Sequence, residues 1–167
     1  MKKIIVGLIV ALLFLGCSSK DVEEQAVEPK IVVGKSLSDM NLNDQFEKAQ
    51  PLDATTKKVI FAFSKDIAHI CNDYFVTQSP TYLSENNTQF VADVSAAPSL
   101  IRSMFILPGL KDFKHTVLLL DDKKVAAPYR VDMNVEKIVV AYIDNKSITE
   151  IVTISSEDEL KKVIEAK

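Results

Sequence analysis

Two cysteines, two histidines and two arginines carry most of the reactive chemistry in this 167-residue chain. Cys71 lies where Ile67, Ile70, Cys71 and Tyr74 recur at helical spacing. A thiol there has three readings. It packs as a small hydrophobe, it forms mixed disulfides as a thiolate, or it ligates a metal. His69 and His115, with Asp66 or Asp73, supply the residue types of a small metal or haem site. Their spacing carries no metal motif, and His69 and Cys71, two apart on a helix, point about 200° away from each other. Hydrogen-bonding surface roles are expected for both histidines, and no cofactor is expected. Asp121 and Asp122 precede Lys123-Lys124 and read as turn chemistry. Asp93, inside an apolar run, is placed to accept backbone hydrogen bonds at a strand end or to titrate abnormally. Neither a Gly-x-Ser-x-Gly elbow nor a glycine-rich phosphate loop occurs.

These side chains are held by an alternation of elements that begins at Lys58. KVIFAF, Lys58 to Phe63, is a short apolar run of β-formers and predicts a buried strand. Ser64 or Asp66 caps the helix that carries Cys71. Ser79-Pro80 starts a short helix through Leu83, which Asn86-Asn87 ends. Gln89 to Ser95 is a second strand. Pro98 opens a helix that Pro108-Gly109 stops, with Leu100, Ile101, Met104, Phe105 and Ile106 expected in the core. Thr116 to Asp122 is a third strand, and KKVAAPYR is expected as a short edge strand limited by Pro128. EKIVVAYIDNKSITEIVTIS predicts a hairpin turning at Asp144-Asn145-Lys146. Ser156 to Glu159 is a capping box for a final helix carrying Leu160, Val163 and Ile164. Earlier, Ile31 to Val33 suggests a short strand, and LNDQFEKAQPLDATT a loop or small hairpin. Strands joined by helical crossovers must be parallel, and the later hairpin antiparallel. The expected fold is therefore α/β, a mixed central sheet flanked by helices on both faces.

The N-terminus has a different character. Lys2 and Lys3 precede an apolar stretch, Ile4 to Leu15, too short to span a bilayer comfortably. Leu13-Phe14-Leu15-Gly16-Cys17 resembles a bacterial lipoprotein signal. The resemblance implies that residues 1–16 are a signal peptide and that Cys17 is the acylated first residue of the mature protein. Residues 17–30 then form a flexible, acidic tether, and residues 31–167 a domain outside the cytoplasm. Ser18 suggests the periplasmic side of the outer membrane, with the inner membrane as the alternative. The net charge of −3, made more acidic by loss of Lys2 and Lys3, speaks against a nucleic-acid partner. If Cys17 carries lipid, Cys71 is left alone and no intramolecular disulfide forms.

The element order resembles the thioredoxin-like fold, and the extension before the first core strand resembles that of peroxiredoxins. KVIFAF takes the place of the strand leading to the active-site helix, and TVLLLD that of the strand after the thioredoxin cis-proline. By that resemblance the Cys-x-x-Cys stretch corresponds to Ser64-Lys65-Asp66-Ile67-Ala68-His69-Ile70-Cys71, where only Cys71 remains. His115 takes the cis-proline's place. No Pro-x-x-x-Thr/Ser-x-x-Cys pattern precedes Cys71, and Arg102 and Arg130 are the only arginines. The resemblance implies a membrane-anchored binding or scaffold domain that has lost the dithiol and meets an envelope protein. Its surface is built from Ser64, Asp66, His69, Phe113 and His115. The alternative is a single-thiol oxidoreductase with Cys71 as the catalytic residue. A carrier of a small hydrophobic ligand or metal is a third reading.

Overall fold

The computed structural model describes residues 27–166. The signal segment, Cys17 and the tether up to Ala26 lie outside the described residues. At the tether's end, Lys30 is already docked, its N–H donating to Pro128 O at 2.8 Å. Lys35 Nζ donates to Pro29 O (3.0 Å) and pairs with Glu28.

The first elements are a small hairpin, β1 (Asn41–Asn43) and β2 (Ala49–Pro51). Asp44 Oδ1 accepts from the N–H groups of Phe46 (2.8 Å) and Lys48 (3.0 Å) to hold its turn. Ile31 to Val33 is not a strand, and Ile31 simply packs into the core. The main sheet has the order β5-β4-β3-β6-β7. Strand β3 (Lys58–Ala62) is buried along its whole length, as a central strand covered on both faces must be. β3 pairs in parallel with β4 (Thr88–Asp93), and β4 in parallel with β5 (Leu118–Leu120). On its other side β3 pairs antiparallel with β6 (Ile138–Asp144), which pairs antiparallel with β7 (Ser147–Ile154). The β6–β7 turn places Asn145 (φ 47°) and Lys146 (φ 64°) in the left-handed region that such two-residue hairpins require.

Helices cover both faces. α1 (Lys65–Phe75), the short α2 (Tyr82–Glu85) and α6 (Glu157–Glu165) pack on one, burying Ile67, Cys71, Tyr74, Leu83, Leu160 and Ile164. α5 (Lys123–Arg130) covers the other with Ala126 and Tyr129, beside Ile31, Leu37 and Met40. At α6, Ser156 Oγ accepts from Glu159 N–H, and Glu159 Oε2 accepts from Ser155 N–H, a reciprocal cap.

Two expectations are corrected here. KKVAAPYR is the helix α5, not an edge strand, because Asp122 Oδ1 caps it by accepting from the N–H groups of Lys124 (2.7 Å) and Val125 (3.2 Å). Pro128 falls in its last turn. The segment after Pro98 runs as α3 (Ser99–Ile101), a π-helical turn (Arg102–Ile106) and α4 (Leu107–Leu110). Pro108-Gly109 lies inside α4 and does not end it. Leu100, Ile101, Met104 and Phe105 are exposed rather than in the core, by 64%, 44%, 58% and 64%. Leu110 is the buried residue of this segment, with Ile106 and Leu107 packed beside it.

Candidate functional site

The C-terminal ends of β3 and β4 and the N-terminus of α1 meet at one end of the sheet, because β3 runs directly into α1 and β4 lies parallel beside it. Ser64 is the N-cap of α1 in an extended conformation (φ −130°, ψ 161°). Its hydroxyl makes no cap bond and is buried without a hydrogen-bond partner. Asp66 and His69, three apart, are exposed and share the outer face of the first two turns.

An ion pair stands behind this helix start. Arg130 Nη1, in the last turn of α5, donates to Asp93 Oδ2 (2.6 Å) and to Phe63 O (3.1 Å). The Asp93 side chain is fully buried and that of Arg130 is 33% exposed. Asp93 Oδ1 accepts from Ser95 N–H at 2.8 Å. Asp93 therefore does accept a backbone hydrogen bond at a strand end. The role of Arg130 becomes legible only once KKVAAPYR is read as a helix, which places a basic residue in the last turn.

Cys71 lies well inside α1 with no exposed surface, packed in the core shared with Ile67 and Tyr74. Burial pushes its thiol up to about 12, so almost no thiolate exists at neutral pH. Cys71 is the one free cysteine among the described residues. It stands apart from the helix N-terminus that would favour a thiolate.

His115 and Phe113 do not join the Ser64 surface. β5 meets β4 with Leu118 opposite Val91, so His115 lies near the N-terminal ends of these strands, away from Ser64. β3 is flanked by β4 and β6, not by β5, and the described residues contain no cis peptide bond. TVLLLD and His115 thus do not hold the positions that the cis-proline analogy assigned them. His115 is 3% exposed, with Nε2 2.9 Å from Asn72 Oδ1 and its ring stacked on Phe113 at 5.0 Å. It is a core residue rather than a surface one. Burial holds its imidazole down at about 4. At the same end, Gln45 donates to His115 O (2.8 Å) and accepts from Val117 N–H (2.9 Å), standing in for a strand neighbour.

Among the described residues no group of three or more His, Cys, Asp or Glu side chains is placed to hold a metal. A cavity of about 190 Å³ lies toward the N-terminal ends of β4 and β5, lined largely by polar side chains such as Gln50, Asp53, Thr56, Ser84, Gln89 and Thr116. That lining suits water or a polar molecule better than a hydrophobic ligand. Among the described residues no helix is long and apolar enough to cross a membrane.

No family model matches the chain, and no curated protein matches it. Solved structures do. The chain is similar to peroxidoxin BcpB from Mycobacterium tuberculosis, with 16% identity, a TM-score of 0.52, and coverage of 79% of this chain and 93% of that one. It is similar to a proposed protein disulfide isomerase from Bacteroides thetaiotaomicron, with 12% identity, a TM-score of 0.52, and coverage of 83% and 89%. A peroxiredoxin-like protein from Aquifex aeolicus gives 12% identity, a TM-score of 0.50, and coverage of 83% and 88%. Such likenesses carry the fold and not the chemistry. The chain has the thioredoxin-like α/β fold, a mixed central sheet flanked by helices, with Ser64, Lys65 and Asp66 at the start of the helix that leaves β3.

Proposed function

We propose that this chain is a lipid-anchored, non-catalytic thioredoxin-like domain of the bacterial envelope that works by binding another envelope protein. Acylation at Cys17 supplies the anchor, and the periplasmic side of the outer membrane is its place. Recognition uses the exposed first two turns of α1, with Lys65, Asp66 and His69. The observation that carries this reading is the state of Cys71. Its sulfur has no exposure and its thiol is held at about 12. Thiol exchange needs an accessible thiolate. The helix start is occupied by Ser64, whose buried hydroxyl has no base bonded to it.

The similar structures bear the names of redox proteins, and that is what speaks for the alternative, a single-thiol oxidoreductase using Cys71. Site-specific photo-crosslinking from positions 66 and 69 of the full membrane-bound chain separates the two. The binding reading expects the same protein adduct in the wild type and in Cys71→Ser. An adduct that vanishes in Cys71→Ser, together with a mixed disulfide trapped on Cys71, would establish the redox reading instead.

A further inference from the structure

The segment from Val94 to Lys111, VSAAPSLIRSMFILPGLK, is apolar on two sides. Ile106, Leu107 and Leu110 turn toward the sheet. Leu100, Ile101, Met104 and Phe105 turn outward and stay exposed. Residues at i, i+1, i+4 and i+5 share one side of a helix, so these four form one continuous patch. Ala96, Pro98 and Pro108 are exposed alongside it. A helix apolar all round is one that is covered on both sides, and nothing within the described fold covers the outer side.

The charges say what fits. Between Asp93 and Asp112 there is no acidic residue, and the only charged side chains are Arg102 and Lys111. This is a basic and apolar strip on a chain whose net charge is −3. Next to it lies the start of α5, where Arg102 is near enough to Asp122 to help lower its carboxyl's pKa, and where Lys123, Lys124 and the half-exposed Val125 follow. From residue 94 to residue 125 the acidic residues are Asp112, Asp121 and Asp122, and they are outnumbered by Arg102, Lys111, Lys114, Lys123 and Lys124. Apolar side chains ringed by Arg and Lys suit the boundary between acyl chains and anionic headgroups. A second copy of the chain would instead bring like charges together.

The proposal rests on the anchored reading above, in which the Cys17 lipid keeps the domain beside a membrane.

We propose that the outward side of the Ser99–Leu110 segment, led by Leu100, Ile101, Met104 and Phe105 with Arg102 and Lys111, lies on an anionic membrane surface and fixes the domain's orientation on it. The chain has no Trp, so a Phe105→Trp reporter is read without background. In the full chain, on vesicles of phosphatidylethanolamine and brominated phosphatidylglycerol, its emission shifts to the blue and most of it is lost. A Val76→Trp reporter, at the far end of α1, keeps its emission. Adding Arg102→Glu and Lys111→Glu to the Phe105→Trp chain restores most of the lost emission. Circular dichroism and the melting curve establish that each variant is folded. Equal quenching at both reporters, quenching that survives the charge reversal, or a blue shift without bromine quenching (a protein contact instead) would each overturn the proposal. The mass of the Cys17 peptide reports the anchor separately. If Cys17 is unmodified, the anchor fails, and the same reporters with added vesicles still decide whether this segment meets lipid.

Discussion

At the residue scale, His115 and Cys71 are two titratable groups shifted by burial alone. The His115 ring lies among Phe75, Phe90 and Phe113, with Nε2–H donating to Asn72 Oδ1. Nδ1 is then a buried acceptor without a partner. Protonating it would place an unsatisfied cation in the core, so the folded imidazole titrates near 4 instead of 6.5. On acidification the unfolded chain takes up this proton first. The contribution is complete above pH 6.5 and is lost as pH falls from there to about 4, amounting to about 3 kcal/mol at ~1.4 kcal/mol per pH unit. Urea melts of the wild type and His115→Gln across that window test it. The variant should lose this part of the slope, while carboxylates such as Asp53, held low by Thr55 and Thr56, keep their own slope at lower pH. Cys71 has a simpler consequence. A thiol reagent should leave it untouched in the native domain and react fully after unfolding. Native reactivity at the rate of a free thiol would contradict its burial.

Elements are joined here by interactions that only the three-dimensional arrangement creates. Arg130 ties the end of α5 to β4 through Asp93, whose side chain has no exposure. Removing Arg130 strands the buried Asp93, which costs up to about 3–5 kcal/mol, whereas the part-exposed Arg130 left without Asp93 keeps access to water and costs less. Replacing both is expected to cost less than the sum of the two singles. A double-mutant cycle with Asp93→Asn and Arg130→Met measures that coupling by denaturant unfolding; additive losses would show that the pair does not act as one. Nothing in the sequence joins residues 93 and 130, since the pairing needs α5 to be a helix crossing to the end of β4. The sequence did carry the local signals. The β-branched run before Ser64, the Asp144-Asn145-Lys146 turn and the Ser156–Glu159 cap each form as their residues imply. KKVAAPYR misleads because Pro128 was read only as a limit on strand pairing, whereas the Asp122 cap and the buried Ala126 and Tyr129 hold a helix that gives up one i→i−4 bond at Pro128. The Leu100–Phe105 patch misleads in another way. Apolar residues are assigned to a core by default, and no local signal says which of two apolar sides faces the sheet. The helix that carries Asp66 and His69 on its exposed side was legible in the sequence. Separating His115 from it required knowing that β5 is an edge strand paired with β4.

The whole molecule has one sheet between two apolar layers, and its first core strand and last helix must find each other across nearly the full domain. Lys58, at the start of β3, does this with a charge. Its Nζ donates to Ile164 O (2.8 Å) and Ala166 O (2.5 Å), carbonyls that α6 cannot satisfy internally. Cation and helix C-terminus are favourably placed, although burial pushes the Lys58 amine down from its ordinary value. Leu160 and Ile164 complete the contact by closing the layer that also contains Cys71. α6 thus covers the helix that carries the proposed recognition surface, without contributing a residue to it. Lys58→Met keeps the apolar stem but leaves both carbonyls without their donor, at an expected cost of about 1–3 kcal/mol. Because those carbonyls are at the C-terminal end of α6, the loss should appear first as fraying of that helix. Hydrogen exchange should speed up at the last turn of α6 while the amides of β3 and β4 change only by the global loss. Uniform acceleration throughout the sheet would mean instead that Lys58 supports β3 itself and that α6 docks through Leu160 and Ile164 alone.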